Sequence, residues 1–206
     1  MRKRRVIGIA VCVAMLSAAG CHKNQVDKGA FQSALNDYYG ARQQCVWSSP
    51  MKFPAQADAA KEDQTKGFDA LTDAGLLTRI PEEKKRFLVG SKQVNDYDVS
   101  SKGRSTWTAD QTQPGYGNFC YGHLKVSSID GYTPSDNADA NTYSVTYHYK
   151  VSDLPDWAKS TEMQTAFPRI AREASGDETA TANLTKSTNG WQVGNVQPAG
   201  SPQLPQ

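Results

Sequence analysis

Few side chains in this sequence have reactive chemistry to offer. Histidines stand at positions 22, 123 and 148, and cysteines at 12, 21, 45 and 120. His123 and His148, with Asp136 and Asp139, form the candidate set for hydrolysis, in which an imidazole takes and returns a proton and a carboxylate orients it. Cys45 would serve as a nucleophile only with one of those histidines as its base, and no local signature of a cysteine hydrolase surrounds it. The polar loop from Gly131 to Asn141 carries Asp136 and Asp139, oxygen donors of the kind calcium prefers. The central glycine and terminal glutamate of an EF-hand are absent, so a plain loop and no metal are expected. Gly115 and Gly117 lack the spacing that cradles phosphate and read as turn residues. Tyr143, Tyr147 and Tyr149, with His123 and His148 nearby, make a candidate ligand surface. The same tyrosine row reads more readily as the core face of a sheet, since aromatic rows on strands ordinarily pack. No catalytic residue and no cofactor is assigned.

The N-terminus carries a stronger signal. Arg2, Lys3, Arg4 and Arg5 precede an unbroken apolar run from Val6 to Leu16, and small residues follow. That order is a secretory signal peptide. Eleven apolar residues are too few to cross a bilayer, which takes about twenty. Ala18-Ala19-Gly20-Cys21 resembles the lipobox of bacterial lipoproteins, with Ala18 standing where a larger aliphatic residue is commoner. The resemblance implies cleavage before Cys21, lipid on its sulfur and acylation of the new amine. Several acyl chains on one residue give stable anchoring where a single chain gives reversible binding. His22 stands where that family's inner-membrane retention signal has aspartate, so the resemblance favours the outer membrane. The implied partner is the membrane itself, with an envelope protein or cell-wall component beyond it.

Cleavage changes the arithmetic. Four of the 23 basic residues and none of the 21 acids lie in the leader, which leaves 19 basic residues against 21 acids, a net charge of −2. No basic tract remains to attract nucleic acid. Cys12 leaves with the leader and Cys21 takes lipid, so Cys45 and Cys120 remain as a pair in an oxidising compartment, where a disulfide is expected.

The elements that must position these residues follow in order. Residues 21–25 form a short tether. An apolar stripe of Phe31, Ala34, Leu35, Tyr38 and Tyr39 predicts a helix, with Asn24 its candidate cap. Cys45 to Pro54 reads as an extended connection, since Pro50 and Pro54 bar a helix. A second helix runs to Ala74, with Gly75 as its left-handed cap. The stretch Phe68 to Trp107 resembles a winged helix: a helix, then Ala74-Gly75-Leu76-Leu77-Thr78-Arg79, then a hairpin ending near Lys102-Gly103-Arg104. That family's helix enters the major groove, but here it carries Asp69 and Asp73, which phosphates would repel. Glu82 to Arg86 reads as a solvated charge run. Strands are expected around Tyr97, Trp107, Asn118 to Ile129, Tyr143 to Val151, Thr179 to Lys186 and Trp191 to Val193, the last two joined at Asn189-Gly190. In the third of these Cys120, Leu124 and Val126 share a parity, which predicts that Cys120 faces the core. A helical insertion begins at Asp153, the expected cap, and Pro168 must restart it. Residues 197–206 read as a disordered tail.

The expected fold class is α+β: N-terminal helices plus an antiparallel sheet of about six strands with one helical insertion, over 26–196, with a subdivision near 90 as one layout. The other layout, helices over one face of a curved sheet, resembles cystatin-like and nuclear-transport-factor-like folds in architecture alone. Three classes of function fit: a non-catalytic binding or structural lipoprotein, an envelope hydrolase, and a small-ligand or peptide binder.

Overall fold

The structure, a computed structural model, describes residues 26–85, 90–135, 141–176 and 178–198. The expected leader and tether, with Cys21, His22 and Asn24, and also Asp136, Asp139 and the chain from 199 onward lie outside the described residues. The chain begins with α1 (Lys28–Gly40), β1 (Gln43–Cys45), β2 (Met51–Lys52), β3 (Ala55–Asp58) and α2 (Glu62–Asp73). Next come β4 (Leu77–Lys85), β5 (Ser91–Val99), α3 (Ser101–Thr106), β6 (Trp107–Ala109), β7 (Tyr116–Pro134) and β8 (Thr142–Ser152). A 3-10 turn (Asp156–Lys159), α4 (Thr161–Ala166), α5 (Pro168–Ser175), β9 (Glu178–Ser187) and β10 (Gly190–Pro198) complete it. The class is α+β. Seven strands form a curled antiparallel sheet along the order β1-β7-β8-β9-β10, with β2 and β6 also on β7, and three more form a smaller sheet, β3-β5-β4.

Helix α1 organises the larger sheet. Its cap is Asp27, whose Oδ1 accepts from the Gly29 N–H at 3.0 Å. The expected stripe turns inward: Phe31, Leu35 and Tyr39 are buried. The next row of the helix meets a strand edge. Beyond His123, β7 has β8 on one side and, among the described residues, no strand on the side that β1 occupies earlier. There Lys28 Nζ donates to the Ile129 and Asp130 carbonyls at 2.9 and 3.0 Å, Gln32 Nε2 donates to the Val126 carbonyl at 3.0 Å, and Asn36 Oδ1 accepts from the Val126 N–H at 2.9 Å. Residues four apart lie on one helix face, so one row of polar side chains satisfies backbone groups that an open edge would leave unpaired.

Strand β7 is the spine. Phe119 and Tyr121 are buried, and then Leu124 and Val126, so the inward parity changes between them. Gly122 sits at the change with φ +140°, and a Cβ there would come within 2.3 Å of the Ser152 carbonyl oxygen. Only glycine fits that backbone. The switch corrects the expected parity: Cys120 alternates with the buried Phe119 and Tyr121 and is itself only half-buried.

The insertion follows its prolines. Pro168 opens α5 after α4 ends, and Ser160, not Asp153, caps α4, its Oγ accepting from the Met163 N–H at 3.2 Å. Asp153 adopts φ +57° instead. The β9–β10 turn is one residue earlier than expected, since Ser187 pairs with Gly190 across Thr188 and Asn189. Gln197 and Pro198 belong to β10 and not to a tail.

The smaller sheet differs most from expectation. Strand β5 pairs with β4, and Ser101–Thr106 is a helix capped by the Ser100 hydroxyl at 2.8 Å from the Gly103 N–H, so Trp107 departs to β7 in the other sheet. The helix-then-hairpin shape is present, with the hairpin spanning β4 and β5. The two sheets share one buried cluster. Its link is a chain of rings in which Trp47 and Trp107 both lie near Phe53 and Phe119, at centroid distances from 5.0 to 6.2 Å, and Phe68 joins Phe53 to Tyr97.

Candidate functional site

Cys45 and Cys120 stand opposite each other on β1 and β7, and a disulfide joins them across a separation of 75 residues. A pocket of about 320 Å³ opens over the bridge, lined among others by Gln44, Trp47, Asp110, Asn118 and Arg169. Three of its polar side chains, Arg169, Asn118 and Asp110, are engaged by the fold. Arg169, delivered by α5, donates from Nη2 to the Cys45 carbonyl. The Asn118 amide donates to the Trp47 carbonyl at 2.7 Å and accepts from the Trp47 N–H at 3.2 Å, completing a strand pair that β1 leaves unfinished. The Asp110 carboxylate accepts from the Thr112 hydroxyl and the Thr112 and Gln113 N–H groups, and these bonds hold it below the usual carboxylate range. The Arg169 guanidinium is a group that can bind an anion, and the Asp110 carboxylate on the same lining is held by its own loop.

The predicted histidines are not gathered here. His148 lies on the outer face of β8, its Nε2 3.1 Å from Asp130 Oδ2, with both side chains close to two-fifths exposed. His148 pairs with Ser128 and His123 with Ser152, which sets the two histidines four residues apart along β8, about 13 Å. Neither lines the pocket. Among the described residues no cluster of His, Cys, Asp and Glu could hold a metal ion.

The tyrosine row packs under α1. Tyr147 is fully buried, with its hydroxyl 2.7 Å from that of Tyr39, and Tyr149 is buried beside both rings. Burial and the Tyr39 hydrogen bond raise the Tyr147 phenol far above its ordinary range, and burial pushes Tyr149 up to about 12. Both are neutral fillers of the space that a ligand would need. Tyr143 is half-buried among Phe31, Tyr132 and Trp191.

No protein family, curated protein or solved structure matches this chain. The site must therefore be read from its own geometry.

Sequence reasoning missed Glu173. It is 6% exposed on α5, and Tyr121 donates its hydroxyl to Oε2 at 2.6 Å. Glu173 follows Ile170 by three residues, so an acid occupies the inward stripe of the helix. That was the available signal. Burial raises its pKa, against the opposing pull of the Tyr121 bond and of Arg169 and Arg172. The native state then holds a proton at a pH where the unfolded chain has released it. The stabilising contribution is complete below the ordinary glutamate range and is lost as pH rises through the raised value. Glu173→Gln keeps an acceptor for Tyr121 and removes the titration. We expect its melting temperature to exceed the parent's near neutrality and the advantage to vanish toward about pH 4. Parallel melting curves across that range, with a constant offset, would refute the assignment.

A second depression lies between α2 and α4. Glu62, Asp69, Asp73 and Glu162 line it, with Lys66 the lysine among them. Asp69 is tied to Arg79 at 2.8 Å and accepts from the Tyr97 hydroxyl at 2.8 Å.

Proposed function

We propose that this chain is a lipid-anchored envelope protein that holds another envelope protein through the free edge of β4, and that it works as a binding module and not as a catalyst. The anchor comes from the lipobox resemblance at Cys21. The observation that carries the binding reading is β4 itself. Eight of its nine residues are exposed, and it ends the order β3-β5-β4, so both faces and one edge of a nine-residue strand are open to solvent. Such an edge is a template for strand addition, in which backbone bonds give affinity and alternate side chains give specificity. Pro81 and the charges from Glu82 to Lys85 guard its outer half against indiscriminate pairing. Thr78 and Ile80 carry no charge, the Arg79 between them is tied to Asp69, and Ile80 is 61% exposed.

Placement favours the same reading. The smaller sheet joins the larger one through Phe53 and Trp107, near the first residues of β7, while α1 begins beside the last ones. A partner on β4 would meet the protein far from its anchor. The acidic groove between α2 and α4 is a poor match for a phosphate backbone, so nucleic acid is not the partner proposed.

A photo-crosslinking residue placed at Ile80 in living cells tests this. We expect a discrete adduct with one envelope protein, formed through an extended segment of it, and none from the same residue at Thr146, exposed on the outer face of β8. No adduct from Ile80 at any growth stage, or equal labelling from both positions, would refute it.

A further inference from the structure

Four residues separate Cys21 from the carbonyl-bearing residue Val26, and the five extended steps between the two span at most about 18 Å. The end of the domain nearest that carbonyl has an unusual surface. The Tyr132 hydroxyl donates to the Val26 carbonyl at 3.2 Å, so the first described residue lies against this ring. Among the described residues, Tyr132 and Ile80 are the large apolar side chains left exposed, one on each sheet. Around Tyr132 sit Tyr143 at 6.0 Å and, 5.7 Å beyond it, Trp191, both half-buried, with Phe31 closing the cluster from below. Lys186 Nζ stands 5.9 Å from the Trp191 ring. The described acids of this end are occupied, Asp27 by the helix cap and Asp130 by His148.

Tyrosine and tryptophan carry an apolar body with a polar tip, and they concentrate at the membrane–water boundary for that reason. A lysine stem can lie along the same boundary with its ammonium in water. Here these side chains surround the point where the chain departs toward a lipidated cysteine. We propose that the face formed by Tyr132, Tyr143 and Trp191 rests in the headgroup layer of the bilayer that holds Cys21, and so fixes the orientation of the domain. The contact is apolar and aromatic in kind, so it needs no anionic lipid and persists at high salt. It rests on the anchor proposed above.

The four tryptophans make the test selective. Trp47, Trp107 and Trp157 all lie near Phe119, thirteen residues before Tyr132 along β7, while Trp191 lies at the proposed contact. The full acylated protein would be reconstituted in phosphatidylcholine vesicles with brominated acyl chains, and its fluorescence compared with that in unbrominated vesicles. We expect quenching that Trp191→Phe largely abolishes, that Trp157→Phe leaves in place and that high salt does not change. Vesicle-bound protein with acyl mass on Cys21 whose quenching ignores Trp191 would overturn the orientation and leave the anchor standing. A Trp191 signal that responds to protein concentration and not to bromine would assign the face to a second copy, and would also overturn it. Mature protein without acyl mass would remove the anchor, and this inference with it.

Discussion

Phe31→Ala is expected to lower the unfolding free energy by about 3–5 kcal/mol, the range for truncating a buried aromatic ring. Phe31 is wholly buried on the inward stripe of α1, and its ring lies 4.7 Å from Trp191, 5.3 Å from Tyr132 and 5.7 Å from Tyr143. The contacts belong to β7, β8 and β10, so one side chain joins the helix to three strands. Those strands are held in register by their own ladders and cannot collapse onto the vacancy, which places the cost at the upper part of the range. Urea titration of the two proteins measures it. Phe31→Leu keeps most of the volume and should lose far less. Equal losses from the two variants would mean that the ring's shape, and not the void, sets the cost.

Cys45→Ala with Cys120→Ala should cost about 4 kcal/mol, the loop-closure entropy returned to the unfolded chain by a crosslink of this span. For a domain of this size that lowers the melting temperature by roughly 10 °C. The bridge joins β1 to β7 where β1 has three residues and pairs with no other strand, so the ladder alone holds it weakly. Both sulfur-bearing residues are half-buried beside the 320 Å³ pocket, and a reductant can reach them. Melting with and without dithiothreitol should therefore separate the parent by the same interval and leave the double variant unmoved. A parent insensitive to reductant, with the bonded state confirmed by mass, would show that the rest of the fold supplies the constraint.

The sequence was legible where one face of an element is dry and the other wet. The stripe of α1, the Tyr143-to-Val151 alternation of β8, the Ala180-Ala182-Leu184 row of β9 and the proline that restarts α5 all stand where the pattern puts them. Gly75 takes the left-handed cap with φ +77°. Elements without that contrast were not legible. Strands β1 to β3 have two to four residues, too few for a period to show. Strand β4 is wet on both faces, so Glu82 to Lys85 looked like a solvated run and not a strand. The inward side of Cys120 depended on a parity change at Gly122 that is a property of the backbone. The candidate site was the least legible part. The burial of Glu173 is fixed by Tyr121, 52 residues away, and the spread of the histidines by the register of β7 on β8. Each is a long-range fact with no local trace.

The polar row that ties α1 to the edge of β7 has a consequence for the order of assembly. Its bonds span 90 to 102 residues of sequence, because the helix comes first in the chain and its strand comes late. A polypeptide synthesised from its N-terminus delivers the helix long before any surface exists to receive it. Until residue 134 has emerged the apolar stripe has no mate, and closing so long a loop is slow. The newborn segment therefore waits with Phe31, Leu35 and Tyr39 uncovered, which is the interval in which misassembly would begin.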